Sequence, residues 1–142
     1  MDRALVLVGV AVLVAALVAG GRLAAARHLR RLRGRHPAEL WAALELGPDG
    51  RPTVVAFSTP GCAACHSAQR PALAALEERA RGRVRVVHVD VAARPDVARR
   101  FGVMTVPATA VLDAAGSVLA ANQGFATAET LAAQVGLPAR AS

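Results

Sequence analysis

The sequence has no lysine and no tyrosine, and its aromatic side chains come to three Phe and one Trp in 142 residues. A core must therefore be packed from Ala, Val and Leu in a chain that is 54% hydrophobic. So few aromatics leave no stacking signature for RNA, and no helix-turn-helix or zinc-finger pattern is present. Nucleic acid is thus not an expected partner, although the net charge is +7. There are two cysteines only, so the second pair that a structural zinc site draws on is missing. No internal repeat occurs, and alanine is the single compositional bias. The length suits one domain with a tail or anchor.

The basic charge is concentrated. Arg3, Arg22, Arg27, Arg30, Arg31, Arg33 and Arg35 against Asp2 give +6 in the first 35 residues, and the remainder is nearly balanced at +1. All 17 basic residues are Arg, which with the alanine bias matches the usage of a GC-rich bacterial genome. The arginines adjoin an uncharged run, Ala4 to Gly21. At 1.5 Å per residue a helix there is roughly 27 Å long, enough to cross a bilayer core. The small residues after Leu23 allow a cleaved signal peptide, but dense arginine right after the run favours an uncleaved single-pass anchor. The same asymmetry predicts a cytoplasmic domain by the positive-inside rule, with an extracytoplasmic domain as the alternative. The expected division is a short N-terminus (1–3), a transmembrane anchor (4–21), an arginine-rich juxtamembrane linker (22–37), one folded domain (38–137) and a tail (138–142).

Within the domain, Ala38 to Leu46 reads as a short helix with Trp41 as a packing anchor, and His36 before it as a solvated linker residue. Gly47 to Pro52 is loop by composition. Thr53 to Ser58 is a short buried strand. An alanine-rich helix follows Cys62, with Pro71 expected to kink it. Arg83 to Val91 is a second strand, parallel to the first because a whole helix connects them. Then come a helix over Arg94 to Phe101, a hairpin of Ala108 to Leu112 and Ser117 to Ala121, and a closing helix over Ala126 to Val135 with Thr127 as candidate cap.

The chemistry gathers at Ser58-Thr59-Pro60-Gly61-Cys62-Ala63-Ala64-Cys65-His66. A strand that turns through Pro-Gly delivers a cysteine to a helix N-terminus, where free amides and the helix dipole favour thiolate over thiol. The second cysteine lies about one turn on, within disulfide reach. A dithiol/disulfide redox site is the first reading. A Cys/His metal module using Cys62, Cys65, His66 and His88 is another. A c-type haem on Cys-x-x-Cys-His, with His66 and Met104 as axial ligands, is the third. His88 otherwise reads as an ordinary sheet residue.

The order β-α-β-α-β-β-α, with Cys-x-x-Cys at the first strand-to-helix turn and Val106-Pro107 opening the third strand, resembles the thioredoxin family over Ala38 to Gly136. Thr105-Val106-Pro107-Ala108-Thr109, Phe101-Gly102-Val103 and Gly124 stand at family spacing. The resemblance implies an α/β thioredoxin-like fold of three layers, α/β/α, around a mixed four-stranded sheet, here preceded by one transmembrane helix. It implies a thiol-disulfide oxidoreductase with Cys62 as nucleophile, Cys65 as resolving thiol and a redox-active Cys62–Cys65 disulfide. Pro107 would be the cis-proline of a substrate loop, with Val106 and Gly61 meeting the substrate and His66 modulating the thiolate. Protein disulfides and an unidentified electron donor or acceptor are the implied partners. No cofactor beyond the disulfide and no metal is expected. Several positions depart from the family: Gly61 replaces its tryptophan and Ala63-Ala64 its Gly-Pro. Ala56 and Val86 stand where it carries a buried carboxylate and a lysine, so the usual base for the resolving cysteine is missing.

Overall fold

The computed structural model describes residues 2–140. Helix α1 (Arg3–Arg33) is followed by α2 (Pro37–Leu44), β1 (Thr53–Ser58), α3 (Arg70–Ala80) and β2 (Arg85–Asp90). Then come α4 (Pro95–Arg100), β3 (Ala108–Leu112), β4 (Val118–Gln123) and α5 (Ala128–Gln134). The strands form one mixed sheet in the order β2-β1-β3-β4. β1 runs parallel to β2, with Ala56 opposite His88, and antiparallel to β3, with Phe57 opposite Ala108. β3 and β4 form the antiparallel hairpin, with Ala108 opposite Gln123.

β1 reads as a continuous apolar run because both of its faces are covered. Val54 and Ala56 face α3 and α5, packing with Leu73, Leu76, Val111 and Leu131. Val55 and Phe57 face the other side, against α2, α4 and the end of α1. There the Phe57 and Phe101 rings meet at 5.3 Å between centroids, tilted by 52°. The three-layer α/β/α arrangement with a mixed four-stranded sheet is the one that the sequence led us to expect.

The arginine-rich stretch after Gly21 continues α1 without a break to Arg33, and the helix ends at Gly34. Its last turns dock on the domain: Leu32 is buried at 2% exposure and Leu29 packs against the same cluster. Full burial of one leucine contributes about 1.5–3 kcal/mol, enough to hold a helix end in place. Arg33 also donates to the carbonyls of Val118 (3.2 Å) and Leu119 (2.9 Å) on the edge strand β4. Before α3 the chain makes one π-helical turn over Cys65–Gln69, in which the Arg70 amide bonds to the Cys65 carbonyl five residues back. Pro71 explains it: without an N–H it cannot continue an α-ladder from Ser67, so the chain widens the preceding turn and starts α3 afresh. Trp41 is buried at 4% exposure, as a packing anchor should be. Its indole lies where a Cβ on Gly116 (φ +92°) would stand.

Candidate active site

β1 ends at Ser58, and the turn through Thr59, Pro60 and Gly61 closes with the Cys62 amide on the Thr59 carbonyl at 3.2 Å. The helical segment begins there, so its free amides point back at the first cysteine. The Cys65 amide donates to Cys62 Sγ at 3.1 Å. Cys62 is half-buried and Cys65 buried at 4% exposure. The two are joined in a disulfide, with Cα atoms 5.3 Å apart. Gly61 is exposed and has open space where a side chain would go.

The opposite wall comes from the start of β3. Because Phe57 pairs with Ala108, Pro107 lies beside the end of β1. The Val106–Pro107 peptide is cis, with Pro107 buried and Val106 half-buried. The Pro107 carbonyl accepts from the Gly124 amide at 2.8 Å. Gln123 braces the loop before it. Its Oε1 accepts from the Met104 amide (3.3 Å), and its Nε2 donates to the Gly102 carbonyl (3.1 Å).

Gln69, on the π-helical turn, ties the cysteine helix to the segment between β4 and α5. It is 2% exposed and pairs with the Ala126 backbone in both directions, each at 3.0 Å. A neutral amide placed against a peptide group satisfies buried donors and acceptors without bringing charge near the sulfurs. No local sequence pattern marks Gln69, because its partner is 57 residues away.

Under Cys65 is a hollow lined by Ala56, Phe57, Ser58, Cys65, His66, Gln69, Arg70, Leu73 and His88. The position where the family resemblance would place a carboxylate is Ala56, 4% exposed, and opposite it in the sheet stands His88. His88, exposed on β2, shares this hollow with the buried cysteine. The β1–β2 register was the signal that could have found it. His66 lies on the same hollow, and its Nε2 is 3.0 Å from the Pro60 carbonyl, so the ring is tied to the turn that precedes Cys62. Met104 lines a different hollow, beside α1, so the two axial positions of the haem reading are not brought together. Among the described residues no group of three or more His, Cys, Asp or Glu side chains converges. His36 is exposed at the start of α2.

A dithiol with one accessible and one buried sulfur, set at a helix start, is equipped for thiol-disulfide exchange. The model of the thioredoxin-like domain family matches residues 30–136. Among solved structures, the chain is similar to chloroplastic thioredoxin z at 24% identity and a TM-score of 0.58, covering 70% of this chain and 86% of that one. It is similar to thioredoxin-2, a component of the malaria parasite protein secretion machinery, at 24% identity and a TM-score of 0.57, covering 62% and 84%. It also resembles DsbF of MTB, solved in mixed oxidized and reduced forms, at 24% identity and a TM-score of 0.51, covering 61% and 79%. At these identities the structures speak for the fold alone. No curated protein sequence matches the chain. The family model covers most of the chain, including the whole sheet and both cysteines, and on that ground the chain belongs to the thioredoxin-like domain family.

Proposed function

We propose that this is a bacterial, membrane-tethered thiol-disulfide oxidoreductase that exchanges disulfides with protein substrates through Cys62 and Cys65. The observation that carries this reading is the pair of unequal sulfurs. Cys62 is half-buried and accepts the Cys65 amide at 3.1 Å, whereas Cys65 is buried. In the reduced protein that amide, with the helix start behind it, stabilises a Cys62 thiolate relative to the thiol. The thiolate attacks one sulfur of a substrate disulfide, forming a mixed disulfide and releasing the other substrate sulfur as a thiolate that takes up a proton. Cys65 loses its proton and displaces the substrate from Cys62. The substrate leaves as a dithiol, and the Cys62–Cys65 disulfide has taken over the oxidised state.

His88 lines the Cys65 hollow and is our candidate acceptor for the Cys65 proton, in the absence of the family's carboxylate at Ala56. Gly61 leaves the approach to Cys62 open, and the backbone of Val106 at cis-Pro107 is available to an incoming peptide. His66, bound to the Pro60 carbonyl, modulates the thiolate from the neighbouring turn.

The anchor is the apolar part of α1, residues 4–21. α1 is the one helix among the described residues that is long and apolar enough to cross a membrane. The remaining division follows: a short N-terminus (1–3), an arginine-rich stretch (22–37) whose helical part docks on the domain, the redox domain (38–137) and a tail (138–142). Arginine asymmetry supports a cytoplasmic domain, with the extracytoplasmic side as the alternative.

The test is a trap. The Cys65→Ser chain, incubated with an oxidised protein substrate, accumulates a mixed disulfide through Cys62 that dithiothreitol releases. The Cys62→Ser chain accumulates none. Equal trapping by both variants, or by neither, contradicts the assignment.

A further inference from the structure

The redox centre and the membrane span leave the domain at the same end of the sheet. β1 ends and β3 begins at that end, with Phe57 opposite Ala108, and β4 finishes there, with Gln123 opposite Ala108. α1 lies antiparallel along β4. Arg33 bonds to Val118 and Leu119 at the start of the strand, whereas His28 meets Gln123 at its end, with ring and amide nitrogens 3.3 Å apart. A Cβ on Gly102 would collide with the same His28 ring, so the loop before Pro107 sits directly on α1. Over the two turns towards the N-terminus, Ala25, Ala24 and Gly21 line a hollow with Met104, Ala121 and Gln123. The uncharged run therefore projects beyond the cysteine end and away from the opposite end.

Distances follow from helix and sheet geometry. Gly21 and His28 are separated by seven residues, roughly 10 Å along the axis. The sheet order puts β1 two strands from β4, roughly 10 Å sideways. Docking through Leu29, Leu32 and Arg33 makes α1 a strut, not a loose tether. A second observation agrees with this geometry. Outside α1, the most exposed large apolar side chains are Met104 (79%) and Phe125 (51%), and both belong to the loops at this end. The opposite end carries Asp49, Arg51 and Arg85 in ion contact. Arg22 and Arg27 follow the uncharged run on α1 and are exposed, a placement in which guanidinium groups meet lipid phosphates.

We propose that the redox end faces the bilayer, so that Cys62 exchanges disulfides with a cysteine pair held at the same membrane surface by an integral membrane protein. The chemistry is the exchange written above: the partner's disulfide is the oxidant for the Cys62–Cys65 dithiol, and in the reverse direction the partner's dithiol is the reductant for the Cys62–Cys65 disulfide. Two electrons and two protons pass in either direction. This inference rests on the anchoring reading, and the experiment separates the two.

The full chain is reconstituted into phosphatidylcholine/phosphatidylglycerol vesicles containing brominated phosphatidylcholine. Tryptophan quenching is measured for the parent, Met104→Trp and Ala114→Trp, together with flotation. The expected result is bromolipid quenching of Met104→Trp well above the parent, whose tryptophan is Trp41, and no gain for Ala114→Trp at the far hairpin. A flexible Gly-Ser insertion between Gly21 and Arg22 abolishes the gain. In the same vesicles, a transmembrane peptide carrying a disulfide near its lipid boundary is reduced at least ten-fold faster than the same disulfide on a soluble peptide, and the insertion removes that preference. Flotation without a quenching difference between positions 104 and 114, or with equal rates on the two peptides, overturns the proposal and leaves the anchor standing. A chain that does not float overturns the anchoring reading, and the proposal with it.

Discussion

The two ends of the sheet are finished in different ways. At the far end, loops are tied by charge. Asp49 accepts from Arg51 at 2.6 Å and lies 3.6 Å from Arg85, and Asp113 Oδ1 accepts the amides of Ala115 and Ser117 at 2.9 Å each. Around the cysteines most ties come from amides: Gln69 with Ala126, Gln123 with the amide of Met104 and the carbonyl of Gly102, and the Cys65 amide on Cys62 sulfur, with one carboxylate tie from Asp90 to the Ala92 amide at the end of β2. A thiolate is tuned by every nearby charge, so amide ties add none of their own and leave the helix start, with His66 and Arg70 close by, to act on Cys62. Charge pairs at the far end have no such neighbour to disturb. They are also exposed, where an ion pair adds little.

That contrast predicts unequal costs of mutation. Gln69→Ala is the larger effect. It strands a buried amide and a buried carbonyl of Ala126, each worth about 1–3 kcal/mol when left unsatisfied. Urea unfolding should show a loss of about 2–4 kcal/mol, and the cysteine end should gain amide exchange before the far end does. Asp49→Asn is the smaller effect, and it should be pH-dependent. Hydrogen bonding from Arg51 holds the Asp49 carboxyl below its usual range. Its contribution is therefore fully present above the ordinary carboxylate pKa and is lost as pH falls through the lowered folded value. Thermal unfolding of the Asn chain should differ slightly from the parent at neutral pH and coincide with it in acid. An Asn chain that loses more stability than Gln69→Ala would reverse the comparison.

The parts of the fold legible in the sequence were those with local causes. The β-branched run 53–58 is β1, and Ala108 opens β3 directly after Pro107. Thr127 caps α5, its side chain accepting the Thr130 amide at 3.1 Å. Terminal residues shifted by one or two, as at β2 and β4, where local pattern is weakest. The features missed have non-local causes. Gln69 is explained only by Ala126, and His88 only by its place opposite Ala56. The docked end of α1 was hidden by arginine. Its docked stripe is thin, with Leu32 buried and His28 and Leu29 half-buried at helical spacing, and the charge on the remaining faces made the stretch read as a juxtamembrane linker. That spacing was the available signal. The family markers were visible because they are contiguous: the cysteine pair with its Pro-Gly turn, and Thr105 to Thr109.

The most direct test of the account is the titration of Cys62 in the reduced chain, followed by ultraviolet thiolate absorbance with Cys65→Ser as the single-thiol form. Cys62 should titrate below the value of about 8.5 for free cysteine, with His66→Ala moving it upward by a small part of that depression. A Cys62 that titrates at or above the free-cysteine value would contradict the claim that the helix start makes it the nucleophile.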